Sequence, residues 1–388
     1  MGIIYLDGHA TTPLAPEAAA AITDAWSAPG NPGSPHAAGA RAAKIVEVGR
    51  AAVAKLVGAA PSELCFTSGA TEANNIVLLG VARAARTSGS KRDRVLMTPI
   101  EHKSVLACAD ALRSEGFEVG WTKVGPDGLV DLNNLALLLD ERTLLLSIGG
   151  ANGEIGAVQP VAEAAALGHR AGALVHSDLA QMTGKLPLDV IDLELDYASF
   201  SAHKIYGPVG IGALYVAAGA LAPTPLVFGG GQEGGLRSGT ISHPLVAGFG
   251  AAAEVAGHRL ADDALHSQEL AHIFLRALDQ RQVRWRLNGS EQHRLPGSIN
   301  IQLIGVDAEN IVERLSQSLA ISTGSACQSG QIASSHVLQE IGLMHEQQRS
   351  SARMYFSRYN TTDDAHRAAE LMASAVRAES LATGGLVQ

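Results

Sequence analysis

The sequence predicts an α/β fold, with a sheet clothed in helices on both faces, joined to a second and smaller domain. Three observations point there. Between about residue 60 and residue 215, short apolar runs alternate with longer stretches whose apolar residues recur at helical spacing, and that alternation marks βαβ units. The chain has 388 residues, more than a single core ordinarily organises, which argues for two domains. The apolar fraction is 46% while the aromatic fraction is only 4%, and Ala and Gly are abundant. That composition suits helices packed closely on a sheet better than a β-sandwich.

Taken in order, the predicted strands are residues 64–66, 94–97, 144–147, 173–176, 197–200 and 211–215. Each is a short, nearly continuous apolar run, as expected of strands buried on both faces. Between them, residues 75–85, 104–114 and 161–171 carry helical spacing. Residues 244–279 read as one long helix or two, and the remainder mixes helices with Gly- and Ser-rich loops. There is no internal repeat and no low-complexity linker.

Several function classes are excluded. The formal net charge is −9 and no run of Lys and Arg is present, so no direct nucleic-acid contact is expected. Cys65, Cys108 and Cys327 lie far apart with no CxxC pair, which argues against a disulfide framework or a cysteine zinc site. His345-Glu346-Gln347-Gln348-Arg349 fails the HExxH zinc pattern at its last position, and no metal site is expected. Residues 1–20 lack the basic start and apolar core of a signal peptide. The long stretch 197–232 is nearly free of charge but is broken by prolines and glycines, so no membrane span is expected. A cytoplasmic location fits these features.

In open α/β sheets a ligand binds beyond the carboxyl ends of the strands, so the residues after each strand are the candidate site. They are polar. The first strand leads into Thr67-Ser68-Gly69-Ala70-Thr71-Glu72, the second into Glu101-His102 and the third into Asn152-Gly153-Glu154. Asp178 with Gln181, and then Ser201 with His203 and Lys204, follow the next two.

Lys204 is the only residue with a formal charge between Tyr197 and Gln232. Lysines are ordinarily solvated, but a buried one has a chemical use: desolvation lowers the amine pKa and frees a nucleophile for Schiff-base formation. Asp178 ends the preceding strand. It reads as an ion-pair partner or helix cap, or as the carboxylate that keeps a pyridine nitrogen protonated. The turn Thr67–Thr71 opens a helix, whose first N–H groups suit either a phosphate or ordinary capping. The loop from Gly229-Gly230-Gly231 to Arg237-Ser238-Gly239-Thr240 is a second anion loop or a connector.

Cys327 lies in Thr323-Gly324-Ser325-Ala326-Cys327-Gln328-Ser329-Gly330. That run is too small and polar for a core, so an accessible thiol there is a candidate nucleophile. Cys65 and Cys108 have apolar flanks and read as core fillers. His102 suits stacking or proton transfer as well as a structural role. Arg353 suits a two-bond clamp on a carboxylate as well as a surface ion pair.

In order, these segments resemble the cysteine desulfurases of the class V aminotransferase group along nearly the whole chain. Tyr5-Leu6-Asp7 with Ala10-Thr11-Thr12-Pro13, Thr67 to Glu72, Glu101-His102-Lys103, Asn152-Gly153-Glu154-Ile155-Gly156, Ser201-Ala202-His203-Lys204, Arg237 to Thr240 and Gly324 to Cys327 carry the likeness. The resemblance implies the fold of the aspartate aminotransferase-like, fold type I transferases that use pyridoxal 5'-phosphate (PLP). Residues 15–250 would then form the large domain with a mixed, mostly parallel sheet. Residues 1–14 and 251–388 would form a smaller α+β domain bearing the Cys327 loop.

The resemblance also implies roles. Lys204 is similar in position to the Schiff-base lysine, Asp178 to the pyridinium partner, Gln181 to the donor for the ring oxygen, and His102 to the stacking and proton-transfer residue. Thr71, Ser201 and His203 resemble phosphate ligands, joined by Thr240 from the other subunit of a homodimer. Asn152 and Arg353 resemble the residues that hold the substrate carboxylate, and Cys327 the cysteine that becomes a persulfide. The implied reaction converts L-cysteine to L-alanine and hands the sulfur to an acceptor protein, for iron-sulfur assembly or DNA sulfur modification. The His9-Ala10-Thr11-Thr12 variant and short C-terminus are similar to desulfurases of bacterial DNA phosphorothioation. Selenocysteine lysis or another class V PLP reaction is the rival enzyme reading, and a PLP-free assembly partner the non-enzyme one.

Three segments depart from the family pattern. Gly8-His9 precede Ala10, Leu179 follows Asp178 where a small residue is usual, and Tyr355 and Ser357 stand where Ser and Gly are usual.

Overall fold

The computed structural model describes residues 2–323 and 335–382. The chain begins with strand β1 (Ile4–Tyr5) and helices α1 (Pro16–Trp26) and α2 (Ala37–Val57). Pro16 stands in the first turn of α1, where its missing N–H has no helical partner to lose. Seven strands then build one sheet: β2 (Leu64–Thr67), β3 (Arg94–Met97), β4 (Glu118–Trp121), β5 (Thr143–Ser147), β6 (Leu174–Asp178), β7 (Tyr197–Ser201) and β8 (Gly212–Val216). Their order across the sheet is β2-β8-β7-β6-β5-β3-β4. β8 pairs antiparallel with both neighbours and the other four pairings are parallel. The sheet is therefore mixed and mostly parallel, and the carboxyl ends of all strands but β8 lie along one edge.

Helices α3 (Ala70–Thr87), α4 (Lys103–Leu106), α5 (Cys108–Ser114), α6 (Leu132–Leu138) and α7 (Val161–Arg170) connect these strands. Successive side chains of a strand point to opposite faces, and both faces here are apolar. Cys65, Val95, Leu145, Tyr197 and Leu214 pack with Ile76, Val77 and Val81 of α3. On the other face Phe66, Val175, Ala198, Phe200, Ala213 and Tyr215 pack with Val46 and Val53 of α2. Two-sided burial explains why the strands read as apolar runs with no polar alternation.

The structure differs from expectation in three places. Strand β4 was not anticipated, because it is an edge strand paired only with β3 and its ends, Glu118 and Trp121, are exposed. The expected helix 104–114 is interrupted at Ala107 into α4 and α5. Residues 244–279, one helix or two by sequence, lie within the single helix α8 (His243–Gln280).

Helix α8 also runs through residue 250. Its first half, with Val246 and Phe249, belongs to the core beneath the large sheet. Its second half, with Leu270, Phe274 and Leu278, belongs to a second core. That core is built from β9 (Trp285–Leu287), β10 (Ser298–Leu303), α9 (Ala308–Leu315), β11 (Leu319–Ala320), β12 (Ser351–Tyr355) and α12 (Thr362–Ala382), whereas α10 (His336–Glu340) packs Val337 and Leu338 against Ile100, Ile155 and Ala157, and α11 (His345–Arg349) buries no residue. β10 lies between β9 and β12 in an antiparallel sheet, and β11 pairs parallel with β1. The N-terminal residues Ile4 and Leu6 consequently bury in the second core. Full burial of a side chain such as Phe274 contributes about 2–3 kcal/mol, and α8 ties the two cores together by contributing to both. Among the described residues no helix is long and apolar enough to cross a membrane.

Candidate active site

The carboxyl ends of β2, β6 and β7, and the turn after β5, meet where the N-terminal segment 7–12 crosses the sheet edge. Lys204 closes a single 3-10 turn directly after β7. Its Nζ donates to the carbonyls of His9 at 2.5 Å and Ala10 at 2.7 Å. Burial pushes this amine down to about 8; the Arg353 charge lowers it further, while Asp178 and Asp7 oppose. A lysine so placed holds an appreciable free-base fraction near neutral pH, which a nucleophilic amine needs.

Gln181 follows β6 and grips His9 from both sides. Its Nε2 donates to His9 O at 2.9 Å and its Oε1 pairs with His9 Nδ1 at 3.1 Å. Because an amide oxygen only accepts, Nδ1 carries the imidazole proton and Nε2 accepts from Ser298 Oγ at 2.8 Å. Burial, then the Lys185 and Arg353 charges, hold His9 well below the usual imidazole range, so it is neutral. Lys185, one turn beyond Gln181, donates from Nζ to Gln181 Oε1 at 3.0 Å. It is only 6% exposed. Burial, with help from the Lys204 charge, pushes it down to about 7.

Asp178 is the last residue of β6 and is buried. Its Oδ2 accepts from Asn74 Nδ2 at 2.7 Å and its Oδ1 from the Ala180 N–H at 3.0 Å. Asn74, on α3, gives its other hydrogen to Ser104 Oγ at 2.9 Å. Ser104 Oγ lies 2.8 Å from Nδ1 of His102, the N-cap of α4. Asn74 Oδ1 is buried and unpartnered.

The first-turn N–H groups of α3 have no carbonyl to pair with, and Thr71 stands exposed among them. Gly212 lets the end of β8 approach: a Cβ there would meet Phe200 O at 2.3 Å and Gly69 Cα at 2.6 Å. That contact sets Ser201 beside the helix start, its Oγ 3.9 Å from where a Cβ on Gly69 would be. Ser201 is buried, and its hydroxyl has no hydrogen-bond partner among the described residues. His203 faces Thr11 Oγ1 at 3.0 Å, and burial, then nearby lysine charges, push it down to about 4. Thr240 is exposed and joins no other predicted site residue. Its loop is tied down nearby, by Arg50 with Glu233 and by Arg237 with Glu72.

Arg353, on β12, donates from Nη2 to Asp7 Oδ1 at 2.8 Å and from Nη1 to Gly153 O at 3.2 Å. Its Nε is buried and unpartnered. Asn152 is more committed: its Oδ1 accepts from the N–H groups of Glu154 and Ile155, and its Nδ2 donates to Ile100 O. One Nδ2 hydrogen remains. Cys327 lies outside the described residues. Burial pushes Cys65 up to about 12 and Cys108 up to about 11, so neither offers a thiolate.

The structure thus brings Lys204, Asp178, Gln181, His102, Thr71, Ser201, His203, Asn152 and Arg353 to one sheet edge. Sequence reading passed over Asn74, Ser104 and Lys185, and named Asp7 within a motif without giving it a role. Asn74 lies in the first turns of α3 between Thr71-Glu72 and Asn75, and the signal available was a polar residue on the helix face that also carries Val77 and Val81. Lys185 follows a glycine two residues after an ordinary Thr-containing turn, with nothing local to mark it as buried. The donor set fits PLP: a buried carboxylate for a pyridinium, a weakly charged amine for a carbonyl, and a free hydroxyl at a helix start for a phosphate.

Comparison with known proteins agrees. The chain is 40% identical over 376 residues to the cysteine desulfurase IscS of Rickettsia felis, covering 96% of this chain and 91% of that protein. A solved NifS-like protein superposes with a TM-score of 0.89 at 33% identity, covering 97% of this chain and 100% of that one. DndA from Streptomyces lividans superposes with a TM-score of 0.76 at 35% identity, covering 90% and 98%. The aminotransferase class-V family model matches residues 4–367, and the chain belongs to that family.

Proposed function

We propose that the chain is a PLP-dependent cysteine desulfurase that converts L-cysteine to L-alanine and leaves the sulfur on Cys327 as a persulfide. The observation that carries this reading is the pairing of a buried, weakly charged Lys204 with a buried Asp178 at one sheet edge, in a chain so similar to a cysteine desulfurase. PLP, when bound, supplies an electron sink for the substrate's carbon skeleton.

The residues divide the work. Lys204 provides the amine that anchors the cofactor, and Asp178 keeps its ring nitrogen protonated. Gln181 and His102 orient the ring, and His102 moves the substrate's α-proton. Thr71, Ser201 and His203 hold the phosphate, with Thr240 entering from a second subunit of a homodimer. Arg353 and Asn152 fix the substrate carboxylate. The Cys327 thiolate attacks the substrate sulfur; the bond from that sulfur to the β-carbon breaks, and its electron pair and a proton stay with the skeleton, which leaves as alanine. The persulfide then passes to an acceptor protein, such as an iron-sulfur or DNA sulfur-modification protein. A free thiol in this role belongs in a reducing compartment such as the cytoplasm. The two cores support a division into a PLP-binding domain, 15–250, and a small domain of 1–14 with 251–388.

Incubation of the pure protein with L-cysteine tests the reading: alanine and protein-bound sulfur should appear in equal amounts. Alanine with no sulfur on Cys327 would shift the assignment to another class V reaction, and a protein that never acquires colour with PLP would remove the enzyme reading.

A further inference from the structure

Asp7 has no part in the roles above, yet it is the carboxylate that Arg353 faces. Its Oδ1 accepts from Arg353 Nη2 at 2.8 Å and from Ser322 Oγ at 3.1 Å. The arginine side chain is 15% exposed, and its far nitrogen, Nη1, is taken by Gly153 O. What remains is Nε, buried and without a partner. Parallel two-bond pairing with a carboxylate engages two N–H groups of one edge. Nε and Nη2 form such an edge, so half of it is vacant and the other half is shared with Asp7.

We propose that Asp7 is a positioning residue and the resident competitor of the substrate carboxylate at Arg353. It holds the guanidinium in register in the free enzyme, and its negative charge weakens the grip on any α-carboxylate that arrives. This rests on the reading of Arg353 as the carboxylate-binding residue. The consequence is kinetic. Cysteine and alanine carry the same carboxylate, so an uncontested arginine would retain the product as firmly as it takes up the substrate. A fixed carboxylate opposite it loosens both, which is uniform binding: it raises KM and speeds release without altering the chemical step. Asp7 also acts on Lys204, where its charge opposes the lowering exerted by Arg353. The Asp7–Arg353 pair therefore places an arginine beside a reactive amine with part of its effect on that amine opposed.

The test is calorimetric binding of 3-mercaptopropionate to the holoenzyme, compared with the uncharged 3-mercapto-1-propanol. Asp7→Asn keeps an acceptor for Nη2 and removes only the charge. It should tighten the carboxylate ligand by roughly tenfold relative to the alcohol, lower KM for L-cysteine and leave kcat within about twofold. Asp7→Ser, smaller and also uncharged, should shift the binding ratio in the same direction and serves if the Asn variant does not fold. An unchanged or weakened ratio in these variants overturns the role of Asp7. Arg353→Gln separates the two readings: it should abolish the preference for the carboxylate ligand, and if the preference persists, Arg353 is not the carboxylate site and the underlying assignment fails instead.

Discussion

Asp178 and His102 are joined by three hydrogen bonds in series, from Asp178 Oδ2 to Asn74, from Asn74 to Ser104, and from Ser104 to His102 Nδ1. The directions are fixed by chemistry. Asn74 Nδ2 only donates, so it serves both Asp178 and Ser104, and the Ser104 hydroxyl has its own hydrogen left for Nδ1. The Ser104 backbone N–H points at the same nitrogen at 3.1 Å, so Nδ1 is an acceptor and a neutral His102 carries its proton on Nε2. A buried acid and an exposed ring thereby share one support, with Asn74 on α3 at its centre.

Asn74→Ala should unsettle both ends together. It leaves Asp178 Oδ2 and Ser104 Oγ without their buried donor, a loss of about 1–3 kcal/mol in urea unfolding. It should also weaken PLP retention by about tenfold, read as colour remaining after dialysis. Wild-type retention in this variant would show that the series of bonds is a packing feature with no bearing on the cofactor.

Two substitutions separate cofactor from sulfur transfer. Lys204→Ala should leave no borohydride-stable link between protein and cofactor and no activity. Cys327→Ser should keep the coloured cofactor and bind L-cysteine, yet form no protein-bound sulfur. Wild-type sulfide release by the serine variant would remove Cys327 from the reaction.

The fold was legible because two-sided burial writes itself as apolar runs: β3 occupies the expected residues 94–97, and β5, β6 and β7 differ by a residue or two from the runs read in the sequence. Strand β4 was not, since an edge strand needs no such run. The site was legible where polar residues follow strand ends in sequence, as at Asp178 and Lys204. It was hidden where a residue reaches the site from a distance. Asn74 does so from inside a helix, and Asp7 does so because β1 crosses to pair with β11. Gln181 and His9, 172 positions apart, carry no mutual signal in one sequence.

Lys185 predicts a pH dependence of stability opposite to the usual lysine case. Its folded pKa falls from 10.5 to about 7, so between those values the unfolded chain binds more protons than the folded one. Stability from this group therefore rises with pH across that window, and below about pH 7 its burial cost is felt in full. Lys185→Met should accordingly stabilise most near pH 6, by at most on the order of 5 kcal/mol less about 1 kcal/mol for the lost bond to Gln181. The advantage should shrink towards pH 10. Urea unfolding of both proteins at pH 6, 8 and 10 measures it, and a difference that does not vary with pH would mean the amine titrates near its ordinary value.

Two of the departures from the family pattern, Gly8-His9 and Tyr355, are one packing unit. A Cβ on residue 8 would lie 2.4 Å from Tyr355 Cδ1, and the Tyr355 and His9 rings sit 4.8 Å apart, tilted by 53°. Tyr355 is 4% exposed, and its N–H donates to Leu6 O at 2.7 Å, which pins it against the N-terminal segment. The ring cannot retreat, so the glycine is required by the tyrosine. Gly8→Ala should then cost about 1–3 kcal/mol as overpacking. In a Tyr355→Ser background, where the ring is gone, the same change should cost less than about 0.5 kcal/mol, although Tyr355→Ser alone is expensive through the cavity it leaves. The double-mutant cycle gives the coupling directly, and additive costs would show that the two departures arose without reference to each other.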